Sequence, residues 1–191
     1  IARNTLKMLS QGLMCIDYGA VEQKNRILAL LQWNLEQLDG VMYEDAICTC
    51  LYSLNNYSFD GPSKTSILHI LLRKIQTMDK DEYQDFMSRS TSKQIGTILA
   101  AYSRNRVQLP NDLVDRLLMR LESNKGNEKI DRNTLKKLCQ GLMAIDYGSV
   151  AQKNRILALL QWHLEQFDGV MDEDAICTCL FSLNNYSFDG P

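Results

Sequence analysis

The sequence predicts an all-α chain, a right-handed α-solenoid of stacked two-helix hairpins, and three observations predict it. Residues 1–62 return almost unchanged as residues 130–191, at an offset of 129. Inside that long period, apolar residues recur at i, i+3 and i+7 in short windows, the spacing of one helix face. The period-2 alternation of a half-buried strand is found nowhere in the sequence.

Repetition organises everything else. Most swaps between the two copies are gentle: Leu38 stands opposite Phe167, Tyr52 opposite Phe181, and Ala20 opposite Ser149. The sequence starts and stops inside a unit, so the 129-residue superrepeat is expected to continue or to meet caps elsewhere. With no leading Met and no basic-then-apolar leader, the chain reads as a mature or excised fragment. The whole of 1–191 is read as one array, with 63–129 as intervening repeats between the two copies.

The first helices begin near Leu6, Ile47, Ile95, Leu135 and Ile176, at successive offsets of 41, 48, 40 and 41. Ile47–Leu54, Ile95–Tyr102, Leu135–Leu142 and Ile176–Leu183 share one apolar pattern, with Gly12, Ser53, Ala101 and Gly141 at one aligned site. Small side chains there are expected to let helices approach closely. A second helix follows each window. Ile27, Leu30, Leu31 and Leu38 mark one, copied at Ile156, Leu159, Leu160 and Phe167. Ile67, Ile70, Leu71 and Ile75 mark another, after Gly61-Pro62-Ser63 with Ser63 expected as N-cap. Leu113, Leu117, Leu118 and Leu121 mark a third, with Pro110 at its start. Tyr18-Gly19 and Tyr147-Gly148 read as helix C-caps, and Asp39-Gly40 and Asp168-Gly169 as boundaries. The longest unit holds an extra segment, Asp79–Ser90, readable as a short helix or a loop. The unit is therefore a hairpin of about 40–48 residues whose apolar face needs a neighbour.

Charge is uneven. Residues 63–129 carry 12 Lys+Arg against 8 Asp+Glu, whereas 1–62 carry 4 against 7 and 130–191 carry 5 against 8. A basic middle lies between mildly acidic ends, within a net charge of −2. No apolar run reaches the roughly 20 residues of a membrane span, so no membrane partner is expected. Cys15 stands opposite Ala144 and Cys139 opposite Ser10, so the six cysteines read as small reduced fillers. That places the chain in an intracellular reducing compartment.

No catalytic chemistry is legible. Cys48 and Cys50 are two apart on a helix and point about 200° apart, so one metal cannot take both. One of them is expected to be packed and the other exposed. His163 stands opposite Asn34, so the copies share no histidine function, and His69 reads as an ordinary helix residue. Glu44-Asp45, Glu173-Asp174 and Asp79–Glu82 sit where acidic residues favour a helix N-terminus. Phosphate-binding glycine loops and nucleophile elbows are missing from the sequence. The chain is read as a non-enzyme with no cofactor and no metal. Trp33 and Trp162 read as repeat core, with a partner contact as the alternative. Tyr52 and Phe181 fall off the apolar face of the first helix, where an aromatic can stack on a base or wedge between hairpins. Asn55-Asn56-Tyr57 and Asn184-Asn185-Tyr186 read as helix endings.

The windows at Ile47–Leu54, Ile95–Tyr102 and Ile176–Leu183, each with its second helix, resemble the helical-hairpin repeats of organelle RNA-processing proteins. The octotricopeptide and heptatricopeptide repeats, and the helical region of FAST-kinase-domain proteins, are the families they are most similar to. Thr49, Thr97 and Thr178 stand just before the paired apolar residues of the Thr-x-Leu-x-Ala-Leu pattern of those repeats. The resemblance covers nearly the whole chain. It implies binding of single-stranded RNA along a groove lined by first helices, with Tyr52, Lys93, Arg104, Lys136, Gln140 and Phe181 as candidate contacts. Such a binder predicts a positive stripe from Lys93, Arg104, Arg106, Lys136 and Lys137. The alternative is a protein-binding scaffold or a subunit of a ribosome- or organelle-associated complex, with exposed aromatic and Leu side chains. End-to-end self-association through uncovered hairpin faces is also expected.

Overall fold

A computed structural model describes residues 8–12, 20–56, 61–145 and 149–184 of the chain. Every regular element among them is helical. The glycine caps expected at Tyr18-Gly19 and Tyr147-Gly148 lie outside the described residues, as do Tyr57 and the segment 185–191. The chain divides into two compact units, Ile1–Arg89 and Ser90–Pro191.

The first unit holds a helical stretch at 8–12 and then α1 (Val21–Glu36), α2 (Glu44–Asn56), α3 (Pro62–Gln76) and α4 (Lys80–Arg89). α1 packs against α3, and α2 against both α3 and α4. Leu28, Leu31, Ile47, Leu51, Ile67 and Leu71 are buried between them. The segment 79–90 is thus a helix rather than a loop. Its start is fixed by Asp79, whose carboxylate accepts from the Asp81 and Glu82 amides at 2.9 and 2.8 Å. The cap of α3 differs from expectation. Gly61, in extended conformation, is the N-cap and Pro62 opens the helix, which places Ser63 inside the first turn. Proline suits that position because its missing N–H would have had no intrahelical partner.

The second unit holds α5 (Ser92–Arg104), α6 (Asn111–Asn124), α7 (Arg132–Met143), α8 (Val150–Gln166) and α9 (Glu173–Asn184). α7 packs against α5 on one side and α9 on the other; α8 packs against α6 and α7. Helices two apart in sequence are therefore neighbours, which puts α5, α7 and α9 in one row and α6 and α8 in another. Side-chain caps start α5, α7 and α8, whereas α6 starts at Pro110 without one. Thr91 accepts from the Gln94 amide at 3.3 Å, Asp131 from Thr134 at 2.7 Å and Ser149 from Gln152 at 3.2 Å. α5 ends with Arg106 in the left-handed region (φ +54°), and the Val107 amide closes back on the Tyr102 carbonyl at 2.9 Å.

Ser149 has Ala20 as its counterpart, and Ala20 supplies no side-chain cap to α1. Ser149→Ala should therefore cost the second unit about 1 kcal/mol, the usual value of an N-cap hydroxyl. Ala20→Ser should stabilise α1 by a similar amount. Thermal melts of the two variants check both signs.

Two neighbouring helices of one row brought close need small residues at the contact. Gly141 faces α5 so tightly that an added Cβ would lie 2.3 Å from the Leu99 Cβ and 2.9 Å from the Ala100 amide nitrogen. This is the close approach expected at the aligned site of small residues. Ala101 and Ser53, at the same site, are fully buried. α6 and α8 are joined by Arg155, whose guanidinium makes a paired contact to Glu122 at 3.0 Å on both oxygens and reaches Asp115 at 3.1 Å. Burial of the Ile156, Leu159 and Leu160 side chains beside it contributes on the order of 2 kcal/mol each.

Identical sequence does not give identical burial. Ile47 and Leu51 are fully buried in α2, against which α3 and α4 pack, whereas Ile176 and Leu180 in α9 are 43% and 61% exposed. Leu30 is 60% exposed in α1, but its counterpart Leu159 in α8 is 1% exposed. The apolar stripe read from the periodicity is therefore covered only where a neighbouring helix reaches it. The tryptophans depart from the expected core placement: Trp33 is 56% exposed and Trp162 half-buried. By the helical period Trp33 falls almost opposite the buried Leu28, Leu31 and Leu35, and Trp162 to the side of the buried Ile156, Leu159 and Leu160.

Candidate functional site

The residues singled out by sequence sit on the row of first helices and on α2. In the second unit, Arg104 at the end of α5 donates from Nη2 to Gln140 Oε1 on α7 at 3.2 Å, which brings two of them together. Lys136 on α7 is paired with Asp174 on α9. Lys137 donates to Thr97 Oγ1 on α5 at 3.1 Å. Lys93 is exposed at the first turn of α5. Its charge, with that of Lys137, helps hold the Asp131 carboxyl below its ordinary range, although the chief cause there is the hydrogen bond from Thr134. Phe181 on α9 is 71% exposed; Tyr52 on α2, in the first unit, is 42% exposed. Both aromatics stand off the packed face, as their helical position implies.

The cations of α7 are thus engaged by adjacent helices rather than arrayed as a bare stripe. Arg132 with Asp172 at 2.7 Å and Lys129 with Asp168 at 3.4 Å extend the same series of ion pairs. Each joins a residue to one 38–40 positions further on. Each pair has at least one partner about half-exposed or more, so each contributes little stability singly. Their consequence is electrostatic, because they lower the positive potential of this row.

A second constellation was not singled out in the sequence. An open cavity of 510 Å³ lies where the loop 126–130 meets the end of α8, lined by Glu128, Lys129, Trp162, His163, Phe167 and Asp168, among others. Gly126, at φ +78°, makes the turn that leads the loop past this opening. The Trp162 ring is half-buried, with the Lys125 ammonium 5.5 Å from its centroid and the His163 ring edge-on at 4.9 Å. His163 is 2% exposed, yet neither ring nitrogen has a hydrogen-bond partner among the described residues. Burial first, then the Lys125 charge, pushes its pKa down to about 4, with Glu128 opposing. It is a neutral imidazole at pH 7, with both ring nitrogens closed off from the surface. In the other copy, Asn34 closes on its own helix by donating to the Leu30 carbonyl at 2.7 Å. Replacement of an amide that satisfies itself by a ring that cannot is what distinguishes this place from its twin. The departure of His163 from Asn34 was visible in the sequence, but it was read only as a reason against a shared function.

The expectation of one packed and one exposed thiol holds in α9 but not in α2. Cys48 and Cys50 are both buried in α2; in α9 Cys177 is exposed and Cys179 buried. The close contact is between helices, with Cys179 Sγ 2.8 Å from Cys139 Sγ on α7. The equivalent place in the first unit holds Ser10 Oγ 2.9 Å from Cys50 Sγ. A search for pairs at the repeat offset would have found both. His69 is exposed on α3. Among the described residues, no three His, Cys, Asp or Glu side chains converge as metal ligands, and no helix is long and apolar enough to cross a membrane.

No protein-family model, curated protein or solved structure matches the chain.

Proposed function

We propose that this chain is a non-catalytic α-solenoid of stacked hairpins, built on the 129-residue superrepeat, that binds single-stranded RNA. The observation that carries the reading is the cavity beside α8. A half-buried indole at the wall of an open cavity, with an ammonium beside its face and Phe167 nearby, suits the stacking of an unpaired base. The exposed aromatics Tyr52 and Phe181 supply further stacking faces. The two-row packing of α5–α9 supports the solenoid part of the reading.

Because Lys129, Arg132 and Lys136 are already paired with carboxylates, stacking rather than phosphate contact should dominate affinity. Single-strand binding falls with salt by a log–log slope of about 0.7 per phosphate contacted. Two contacts would weaken binding only about sevenfold between 50 and 200 mM salt by that slope. Trp162→Ala should lose on the order of 1–3 kcal/mol of binding, the range for one base–aromatic stack. Fluorescence polarisation with a labelled single-stranded RNA pool at the two salt concentrations reads both quantities. A steep salt dependence untouched by Trp162→Ala would overturn the stacking account.

A protein-binding scaffold is the second reading, favoured by the same ion pairs and by exposed Leu30, Trp33 and Met119. Under it the chain would fail to bind RNA even at low salt and would capture a protein partner through those side chains.

A further inference from the structure

The second unit contains a pair of thiols that its twin lacks. Cys139 on α7 and Cys179 on α9 are both free, and their sulfurs lie 2.8 Å apart at the contact between the two helices. A disulfide needs about 2.05 Å, so closure requires less than roughly 1 Å of relative motion. The contact is not an accident of two side chains drifting together. The same helix-to-helix place in the first unit holds Ser10 against Cys50 at 2.9 Å, so the repeat itself sets this spacing. Only the substitution of Ser10 by Cys139 in the second copy gives both partners sulfur.

The surroundings favour one order of events. Cys179 has its pKa lowered by the hydrogen bond with Cys139, with the Lys136 charge adding to it and burial opposing. Cys139 is fully buried and its thiol is pushed up by the same contact and by burial. Cys179 is therefore the better thiolate and Cys139 the better proton donor. Cys179 is 4% exposed, while the α9 side chains next to it, Leu180 and Phe181, are 61% and 71% exposed, so a small oxidant has a short path in.

We infer that Cys139 and Cys179 are a redox modification site: a peroxide closes them into a disulfide that staples α7 to α9. In the first step the Cys179 thiolate attacks one oxygen of hydrogen peroxide. The O–O bond breaks, hydroxide leaves and takes up a proton as water, and Cys179 becomes a sulfenic acid. In the second step the Cys139 sulfur attacks the Cys179 sulfur. The S–O bond breaks, and the departing hydroxyl carries off the Cys139 proton as a second water. The sulfurs are oxidised by two electrons in all, and the peroxide is reduced by two. A thiol reductant reverses the bond.

The first unit is a built-in control. Ser10 cannot complete the chemistry, so Cys50 should stop at the sulfenic stage or stay unreacted, its thiol being pushed up to about 11 by burial, with the Ser10 hydrogen bond opposing. The staple would tie two hairpins of one copy and leave the other free, so oxidation stiffens the array at one place.

The experiment treats the reduced full chain with excess hydrogen peroxide. It then blocks remaining thiols under denaturing conditions and maps disulfide-linked peptides by mass spectrometry. The expected result is one intramolecular link between Cys139 and Cys179, reversed by dithiothreitol, and a rise in the melting temperature of the second unit. Cys139→Ser reproduces the Ser–Cys arrangement of the first copy, so it should fold, and it should lose both the link and the rise. Ser10→Cys should gain a second link, to Cys50, under the same treatment. Three results would each overturn the inference. One is a link that joins the exposed Cys177 instead. Another is Cys179 oxidised to sulfinic acid with Cys139 still free. The last is a linked chain with the same melting temperature as the reduced one.

Discussion

Gly141→Ala should destabilise the second unit by about 2 kcal/mol, although alanine is the better helix former by about 1 kcal/mol. The opposing term is steric. The new methyl carbon would lie 2.3 Å from Leu99 Cβ and 2.9 Å from backbone atoms of Leu99 and Ala100. Backbone cannot rotate away as a side-chain tip can, so α5 and α7 must separate, and overpacking of this kind costs about 1–3 kcal/mol and sometimes more. Separation also loosens the Arg104–Gln140 and Lys137–Thr97 contacts that span the same pair of helices. For a unit of this size a loss of 2 kcal/mol corresponds to a fall of roughly 10 °C in Tm. The internal duplication supplies the control. Gly12 occupies the same place in the other copy, and a Cβ there meets nothing within 4 Å. Gly12→Ala should therefore leave stability unchanged or raise it by up to about 1 kcal/mol. Equal effects at the two positions would mean that α5 and α7 do not approach as described.

The second large effect is on the pH dependence of stability. His163 has a folded-state pKa of about 4 against 6.5 when exposed, because burial and Lys125 disfavour its charged form. The unfolded chain therefore binds a proton between those values and the folded chain does not. Stability is fully present above pH 6.5 and is lost as pH falls towards 4. The loss approaches 1.4 kcal/mol per pH unit and totals roughly 3 kcal/mol over the window. Asp131 does not blur this, because its lowered pKa puts its contribution below its ordinary value of 3.8. His163→Asn, which installs the residue of the twin copy, should flatten the slope between pH 6.5 and 4. Urea midpoints at three pH values in that window read the difference. A wild-type slope unchanged by the substitution would show that His163 is not held neutral.

Much of the architecture was legible because it depends on spacing. The i, i+3, i+7 windows mark helices without reference to tertiary context, and the aligned small residues mark Gly141 as a contact point. Burial was less legible, since Ile47 and Ile176 have the same neighbours in sequence and different neighbours in space. Trp33 and Trp162 went astray for a related reason: size and apolarity suggest core, but angular position on the helix decides. The cap of α3 went to Gly61 because Pro62 fixes the first helical residue, leaving Ser63 one step too late.

The candidate site was legible only in part. Arg104, Gln140 and Lys136 were found on facing helices, but sequence gives no view of which carboxylate each cation meets. Asp172 and Asp174 are separated from Arg132 and Lys136 by about a repeat length, so their pairing depends on how hairpins stack. The His163 cavity needed the loop at 126–130 to fold back over the end of α8, and no local signal in the sequence carries that return. Its one visible trace was the single change from Asn34, weighed against a shared function instead of for a local one.

The proposed function rests on stacking of unpaired bases at the cavity around Trp162. Polarisation of a labelled single-stranded RNA by the intact chain, in parallel with Trp162→Ala, tests it most directly. The expected result is saturable binding at 50 mM salt, a loss of less than about tenfold at 200 mM, and a weakening of about tenfold or more on removal of the indole. Absence of binding at low salt, or binding that Trp162→Ala leaves intact, would contradict it.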